Sequence, residues 1–291
     1  MKLATIEIGG RTRVATVEND QLAGLLHPDF ATVGDVIAAG ARGSSDPYRV
    51  VEPVNGSARI LAPLPRPARN IFCVGKNYHD HAHEFAKSGY DSSAASGAVP
   101  EAPIIFSKVP ETVIGPGASI IFDPEVSQAI DYEAELAVII GRAGRRIRRE
   151  DALSHVWGYT IVNDVTARDV QKRLKQWLVG KSLDTFCPMG PLAVSADEVD
   201  LADTRVRTWV NGELRQDANT RDLIFDVPTI IETISAGVTL YPGDVIATGT
   251  PAGVGIGFDP PKYLRSGDRV RITIDGIGTL ENVVQAVQST G

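Results

Sequence analysis

The chain has 291 residues, 43% of them hydrophobic and 22% charged, the proportions of an ordinary soluble globular protein with room for one large domain or a large one plus a small one. A net charge of −7 argues against a nucleic-acid binder, and no run approaches the ~20 apolar residues of a membrane span. Two cysteines, Cys73 and Cys187, do not make a disulfide framework, so a cytoplasmic protein is expected.

In chain order, Leu3–Ile8 and Arg13–Glu18 alternate like strands, and Val33–Ala39 has helical spacing. This region holds one histidine and no acid cluster, which predicts a small α+β unit without chemistry. Pro63, Pro65 and Pro67 stiffen the connector that follows, so the expected boundary lies between residues 1–66 and 67–291. Ile71–Val74 then reads as a short strand ending at Gly75, and Asn77–Lys87 as a helix. Ser88–Pro103 is rich in Ser, Ala, Gly and Pro, the composition of an insertion or a lid; a mobile lid is expected around 77–103.

Beyond it come many short β-type runs: Ile104–Lys108, Ser119–Phe122, Glu135–Ile140, Trp157–Asn163, Gly190–Val194, Val206–Val210, Asp244–Ala247 and Val270–Ile274. Turn residues separate them, and Asn211-Gly212 is a strong hairpin signal. Helical spacing appears at Arg149–His155, after Thr166 and at Pro228–Ser235. The fold class predicted is α+β and mostly β. The basic run Arg142 to Arg149 contains five arginines and reads as a solvated turn.

Asp131-Tyr-Glu-Ala-Glu135 runs into the apolar segment Leu136–Ile140. Strand alternation points Glu133 and Glu135 the same way. Alone, such a pair is also the pattern of a solvated strand end. A second strand ends in Asn163-Asp164, where Asp164 is equally a helix N-cap. Taken together, three carboxylates form an all-oxygen set suited to Mg²⁺ or Mn²⁺ and poorly suited to Zn²⁺.

His79, His81 and His83 share one helical segment with Glu84. Alternating histidines on a helix do not converge on one ion. His81 and Glu84 are neighbours at i,i+3, an acid–base dyad or merely polar surface. In Ala247–Gly255, backbone N–H groups and the hydroxyls of Thr248 and Thr250 would bind a carboxylate; alone, the stretch is also an ordinary turn. It lacks a P-loop ending or a dinucleotide fingerprint. Cys73 and Cys187 lie in apolar or Pro-flanked runs and read as small buried residues rather than nucleophiles.

These stretches together resemble the fumarylacetoacetate hydrolase family. The resemblance rests on Ile71–Glu84, Phe106-Ser-Lys108, Asp131–Leu136, Gly158–Gln171, Gly180–Gly190, Tyr241–Gly255 and Leu264–Asp268, in family order over roughly residues 70 to 284. It implies a mixed β-roll or sandwich domain preceded by a small N-terminal domain, a homodimer, and Mg²⁺ or Mn²⁺ held by Glu133, Glu135 and Asp164. It further implies Lys181, Arg168, Gln171, Lys108 and Thr250 around metal and substrate, with His81 and Glu84 activating water. The expected reaction is hydrolysis of a C–C bond in an acylpyruvate-type 2-oxo acid. The alternatives are oxaloacetate decarboxylation, isomerisation or decarboxylation of 2-hydroxyhepta-2,4-diene-1,7-dioate, and a non-catalytic metal-binding member.

Overall fold

The strand Ala134–Ile140 is buried along its whole length. Leu136, Val138 and Ile140 enter one hydrophobic core, while Ala137 and Ile139 enter another. A strand covered on both faces has no polar side to alternate with, which is why its sequence is a continuous apolar run. The computed structural model describes residues 1–43, 46–87 and 99–287, and places this strand inside the largest of three sheets.

That sheet runs in the order Val50–Pro53, Gln21–Leu26, Arg11–Glu18, Lys2–Ile8, Cys187–Ser195, Val156–Asn163, Ala134–Ile140, Val245–Ala247, Ile71–Gly75, Ile104–Lys108. A five-stranded sheet, in the order Glu213–Asn219, Arg205–Val210, Arg269–Ile274, Gly278–Ala286, Ser119–Phe122, contributes Val206, Val210, Ile272 and Ile274 to the core shared with Leu136 and Val138. The two-stranded pair Ile130–Asp131 and Thr166–Ala167 lies next to the site residues in sequence. The expected mixed, strand-dominated fold is what the chain adopts.

The N-terminal segment joins the large sheet: Lys2 and Leu3 pair antiparallel with Val194 and Ala193. Leu3, Val14, Leu26 and Val33 share a core with Ile71, Cys73 and Ala137. The helix predicted at Val33–Ala39 spans Val33–Ala41, started by a capping box between Thr32 and Asp35. Among other predicted elements, Arg149–His155 forms 3₁₀ turns rather than an α-helix. The helix predicted from Asn77 begins at His79, because the Asn77 side chain is bonded to Phe225 and Thr248 and Tyr78 bridges to Leu223. Of the expected lid, residues 88–98 lie outside the described residues.

Glu213–Asn219 is a strand without an apolar signature, since Gln216 is its one buried residue. It is the edge strand that the Asn211-Gly212 turn returns into, with Val210 paired to Glu213. No described helix is long and apolar enough to cross a membrane.

Close backbone approach fixes one position firmly. At Gly158, where Val156–Asn163 passes Cys187–Ser195, an added Cβ would lie 1.9 Å from the Val194 carbonyl oxygen. Gly158→Ala is therefore expected to lower unfolding free energy by about 3 kcal/mol, as overpacking against backbone does. Urea denaturation followed by circular dichroism measures this.

Candidate active site

Antiparallel register brings the three predicted carboxylates together. Ala134 pairs with Asn163, and one step further along the Asp164 N–H donates to the Glu133 carbonyl at 2.8 Å. The Asn163 side chain accepts from the Glu133 N–H at 3.0 Å and seals the strand ends. Candidate ligand oxygens of Glu133, Glu135 and Asp164 consequently lie within 4.8 Å of one another, and among the described residues this is the cluster that could hold a metal ion.

A shell of buried cations surrounds them. Lys181 Nζ donates to Glu133 Oε2 and Asp164 Oδ2, both at 2.7 Å. Arg168 Nε donates to Asp131 Oδ2 at 2.8 Å, and its Nη2 lies 2.7 Å from Glu133 Oε1. Lys108, expected beside substrate, is fully enclosed behind Asp164: Nζ donates to Asp164 Oδ1 at 2.7 Å, to the Val165 carbonyl at 3.0 Å and to the Lys181 carbonyl. Four carboxylates (Asp131, Glu133, Glu135, Asp164) face three cations (Lys108, Arg168, Lys181), none more than 5% exposed.

The packing of these charges sets the electrostatics. Burial opposes the charge of Glu133, but Lys181 and Arg168 outweigh it and bring the carboxyl down to about 2. Glu135 moves the other way: burial and the neighbouring Asp164 and Glu133 charges hold it well above the ordinary carboxylate range. Burial also disfavours the Lys181 ammonium, yet Asp164 and Glu133 keep it above the usual lysine value. Three buried oxygen donors, one of them held above the ordinary carboxylate range by its acidic neighbours, fit a hard divalent cation. Elsewhere, burial pushes the Cys73 thiol well up and Cys187 to about 12, which leaves both as unreactive core residues.

The glycine-rich loop after Val245–Ala247 binds carboxylates, but they are the chain's own. Gly249 N–H donates to Glu135 Oε2 at 2.7 Å, and Gly253 N–H to the Glu84 oxygens at 3.1 and 3.3 Å. Gly255 and Ile256 N–H donate to the two oxygens of Asp131 at 2.6 and 3.0 Å. Thr248, expected as a carboxylate donor, bonds the Leu136 carbonyl instead. Thr250 does line the site cavity. Its Oγ1 accepts from Gln216 Nε2 at 2.7 Å, which leaves the hydroxyl proton to donate elsewhere. Asp131 and Gln216 are thus structural parts of the site that sequence reasoning left without a role. Asp131 stands within the acidic stretch, whereas nothing in the polar strand around Gln216 marks it.

On the helix His79–Lys87, His79 and His83 are exposed while His81 is buried. His81 Nδ1 lies 3.2 Å from Glu84 Oε2, the i,i+3 pairing expected. His81 lines a cavity together with Glu133, Glu135, Arg168, Gln171, Lys181 and Thr250. Glu84 is not among its walls; its carboxylate is turned toward His81 and the Gly253 amide.

A β-rich fold with buried carboxylates at a strand end, balanced by an arginine and lysines and opening into a cavity beside a His–Glu pair, defines an enzyme class rather than a binding module. The chain belongs to the fumarylacetoacetate hydrolase family: residues 70–285 match the model of the fumarylacetoacetate (FAA) hydrolase C-terminal domain. It is 54% identical over 227 residues, 78% of this chain and 73% of the other, to oxaloacetate tautomerase YisK of Bacillus subtilis. Among solved structures it is similar to a fumarylacetoacetate hydrolase of Exiguobacterium antarcticum (TM-score 0.85, 43% identity, covering 99% of this chain and 100% of that one). It is also similar to maleylpyruvate hydrolase of Sphingobium sp. SYK-6, solved with manganese(II) and pyruvate (TM-score 0.77, 31% identity, covering 99% and 100%).

Two outcomes follow from the charge balance. Lys108→Met removes the enclosed partner of Asp164 and is expected to destabilise the fold by about 3–5 kcal/mol in chemical denaturation. Glu135→Gln is expected to weaken Mn²⁺ binding at least ~10-fold in calorimetric titration while the circular dichroism spectrum is unchanged.

Proposed function

We propose that the chain moves a proton between the keto and enol forms of a small 2-oxo acid, with oxaloacetate the representative substrate. The observation that carries this reading is that His81, rather than Glu84, faces the cavity. The Glu84 carboxylate accepts from Nδ1, which leaves Nε2 with its lone pair as the acid–base atom. Gly253 fixes Glu84 from behind, so the pair is oriented before substrate arrives.

Glu133, Glu135 and Asp164 would hold a Mg²⁺ or Mn²⁺ ion, which when bound supplies Lewis-acid polarisation of the 2-oxo group. Thr250, with its hydroxyl proton free of Gln216, and Arg168 line the cavity as donors to the substrate's first carboxylate. Gln171 lies beside Arg168 at 3.4 Å and holds that end of the guanidinium. His81 takes the proton from C3; the C–H pair becomes the C2–C3 double bond and the carbonyl pair moves onto oxygen. Lys181 gives two of its three N–H donors to Glu133 and Asp164, which leaves the third to stabilise the charge that develops on that oxygen. Return of the proton to oxygen or to C3 decides between enol and keto product.

Acylpyruvate hydrolysis asks Glu84 to deprotonate a water, and a carboxylate turned toward His81 and Gly253 is less suited to that than to orienting the imidazole. The oxaloacetate tautomerase relative favours the same choice. Proton exchange at C3 of oxaloacetate in D₂O, followed by NMR with Mg²⁺ present, tests it. His81→Asn should slow exchange by about 10²–10⁴-fold, and Glu84→Gln should slow it less. Release of pyruvate and acetate from acetylpyruvate faster than oxaloacetate exchange would overturn the reading in favour of hydrolysis.

A further inference from the structure

Gln216 is 0% exposed on a strand whose other residues are exposed or half-buried. A β-bulge accounts for its burial. Thr208 pairs with Gln216 but Trp209 pairs with Leu214, so Arg215 is an extra residue without a partner in the ladder. In a regular strand Leu214 and Gln216 would share a face; here Leu214 is 49% exposed while Gln216 is enclosed.

Inside, the amide has a single allowed orientation. Ala134 N–H, between Glu133 and Glu135, donates to Gln216 Oε1 at 3.2 Å, and Thr208 Oγ1 donates to the same oxygen at 2.8 Å. Gln216 Nε2 donates to the Pro251 carbonyl at 2.8 Å and to Thr250 Oγ1 at 2.7 Å. A backbone N–H only donates and a carbonyl only accepts, so exchanging the amide's oxygen and nitrogen would set donor against donor at Ala134 and acceptor against acceptor at Pro251. Thr250 Oγ1 must therefore accept. Its own proton has no acceptor among the described residues, and Thr250 is 2% exposed in the cavity wall.

We propose that Gln216 is a positioning residue for substrate binding: it makes the Thr250 hydroxyl an obligate donor and leaves its proton for the cavity. A hydroxyl free to rotate can donate or accept. One that already accepts from a fixed amide is committed to donate, which matches a carboxylate, a group that only accepts. The amide is anchored on the strand end that carries Glu133 and Glu135, so the carboxylate donor and the acidic oxygens are held in one frame. This rests on the 2-oxo acid reading above, in which Thr250 receives the substrate's first carboxylate, and it names the residue that fixes how Thr250 does so.

The test is a double-mutant cycle on the full chain with Mg²⁺, read as calorimetric binding of pyruvate, which offers the carboxylate and 2-oxo group with only a methyl beyond them. Gln216→Met keeps the length of the side chain and removes the donor; it should weaken pyruvate binding about 10-fold. In a Thr250→Val background, where no hydroxyl proton is left to direct, the same change should weaken binding less than ~2-fold. Equal weakening in both backgrounds would mark a merely structural role and overturn the proposal, as would no weakening in either. Should Gln216→Met fail to fold, Gln216→Glu has the native shape, and its carboxyl replaces the amide donor only while protonated. Its pyruvate Kd relative to wild type should rise at least ~5-fold from about pH 5.5 to about pH 8.5, the range in which a buried carboxyl titrates, and a flat ratio overturns the proposal. Proton exchange at C3 of oxaloacetate, measured on wild type, separates this inference from the reaction beneath it. Pyruvate binding with the expected coupling, in a wild type that exchanges no proton, keeps the role of Gln216 and sinks the tautomerase reading. Exchange without the coupling does the reverse, and a wild type that neither binds pyruvate nor exchanges sinks both.

Discussion

Keeping several charges out of water at once is the constraint on which this structure depends. Each of Asp131, Glu133, Glu135 and Asp164 would be costly to bury alone. Each is matched instead by a donor brought from a different part of the chain: Lys108 from a strand, Arg168 and Lys181 from short helices, and the amides of Gly249, Gly255 and Ile256 from the glycine-rich loop. The loop's backbone donors suit this task because an amide needs no counter-charge and loses no side-chain freedom. Glu135, which has an amide for a partner and no ion pair of its own, is held above the ordinary carboxylate range by Asp164 and Glu133 beside it.

The strand Ala134–Ile140 ties this cluster to the fold. Since both of its faces are packed, its register against Val156–Asn163 has little freedom to slip; a shift of one residue would turn every side chain to the opposite core. The same register sets Glu133 opposite Asp164. Packing of the two cores therefore fixes the spacing of the acidic oxygens, and site geometry is inherited from hydrophobic complementarity rather than maintained by the charged groups themselves.

Strand alternation and helical spacing made part of this legible in advance. Glu133 and Glu135 share a face because side chains alternate, and His81 meets Glu84 because i and i+3 are neighbours on a helix; both are local rules. Lys108 was placed around metal and substrate by the family resemblance, and its enclosure behind Asp164, Val165 and Lys181, residues far away in sequence, had no local signal. The loop from Ala247 to Gly255 was recognisable as a carboxylate binder, but not that Glu84, Asp131 and Glu135 would occupy its amides. Gln216 gave no signal, being a single buried polar side chain on a strand that is otherwise exposed or half-buried.

Trp177 and Lys181 stand one helical turn apart, with the Lys181 N–H bonded to the Trp177 carbonyl at 3.0 Å. The indole that lines the cavity and the ammonium that binds Glu133 and Asp164 are thus joined through one short turn of helix. A displacement of the indole would therefore carry the ammonium with it and loosen its hold on both carboxylates. The packing of one aromatic side chain and the charge balance of two buried carboxylates are then a single mechanical unit, so that what disturbs the first also reaches the second.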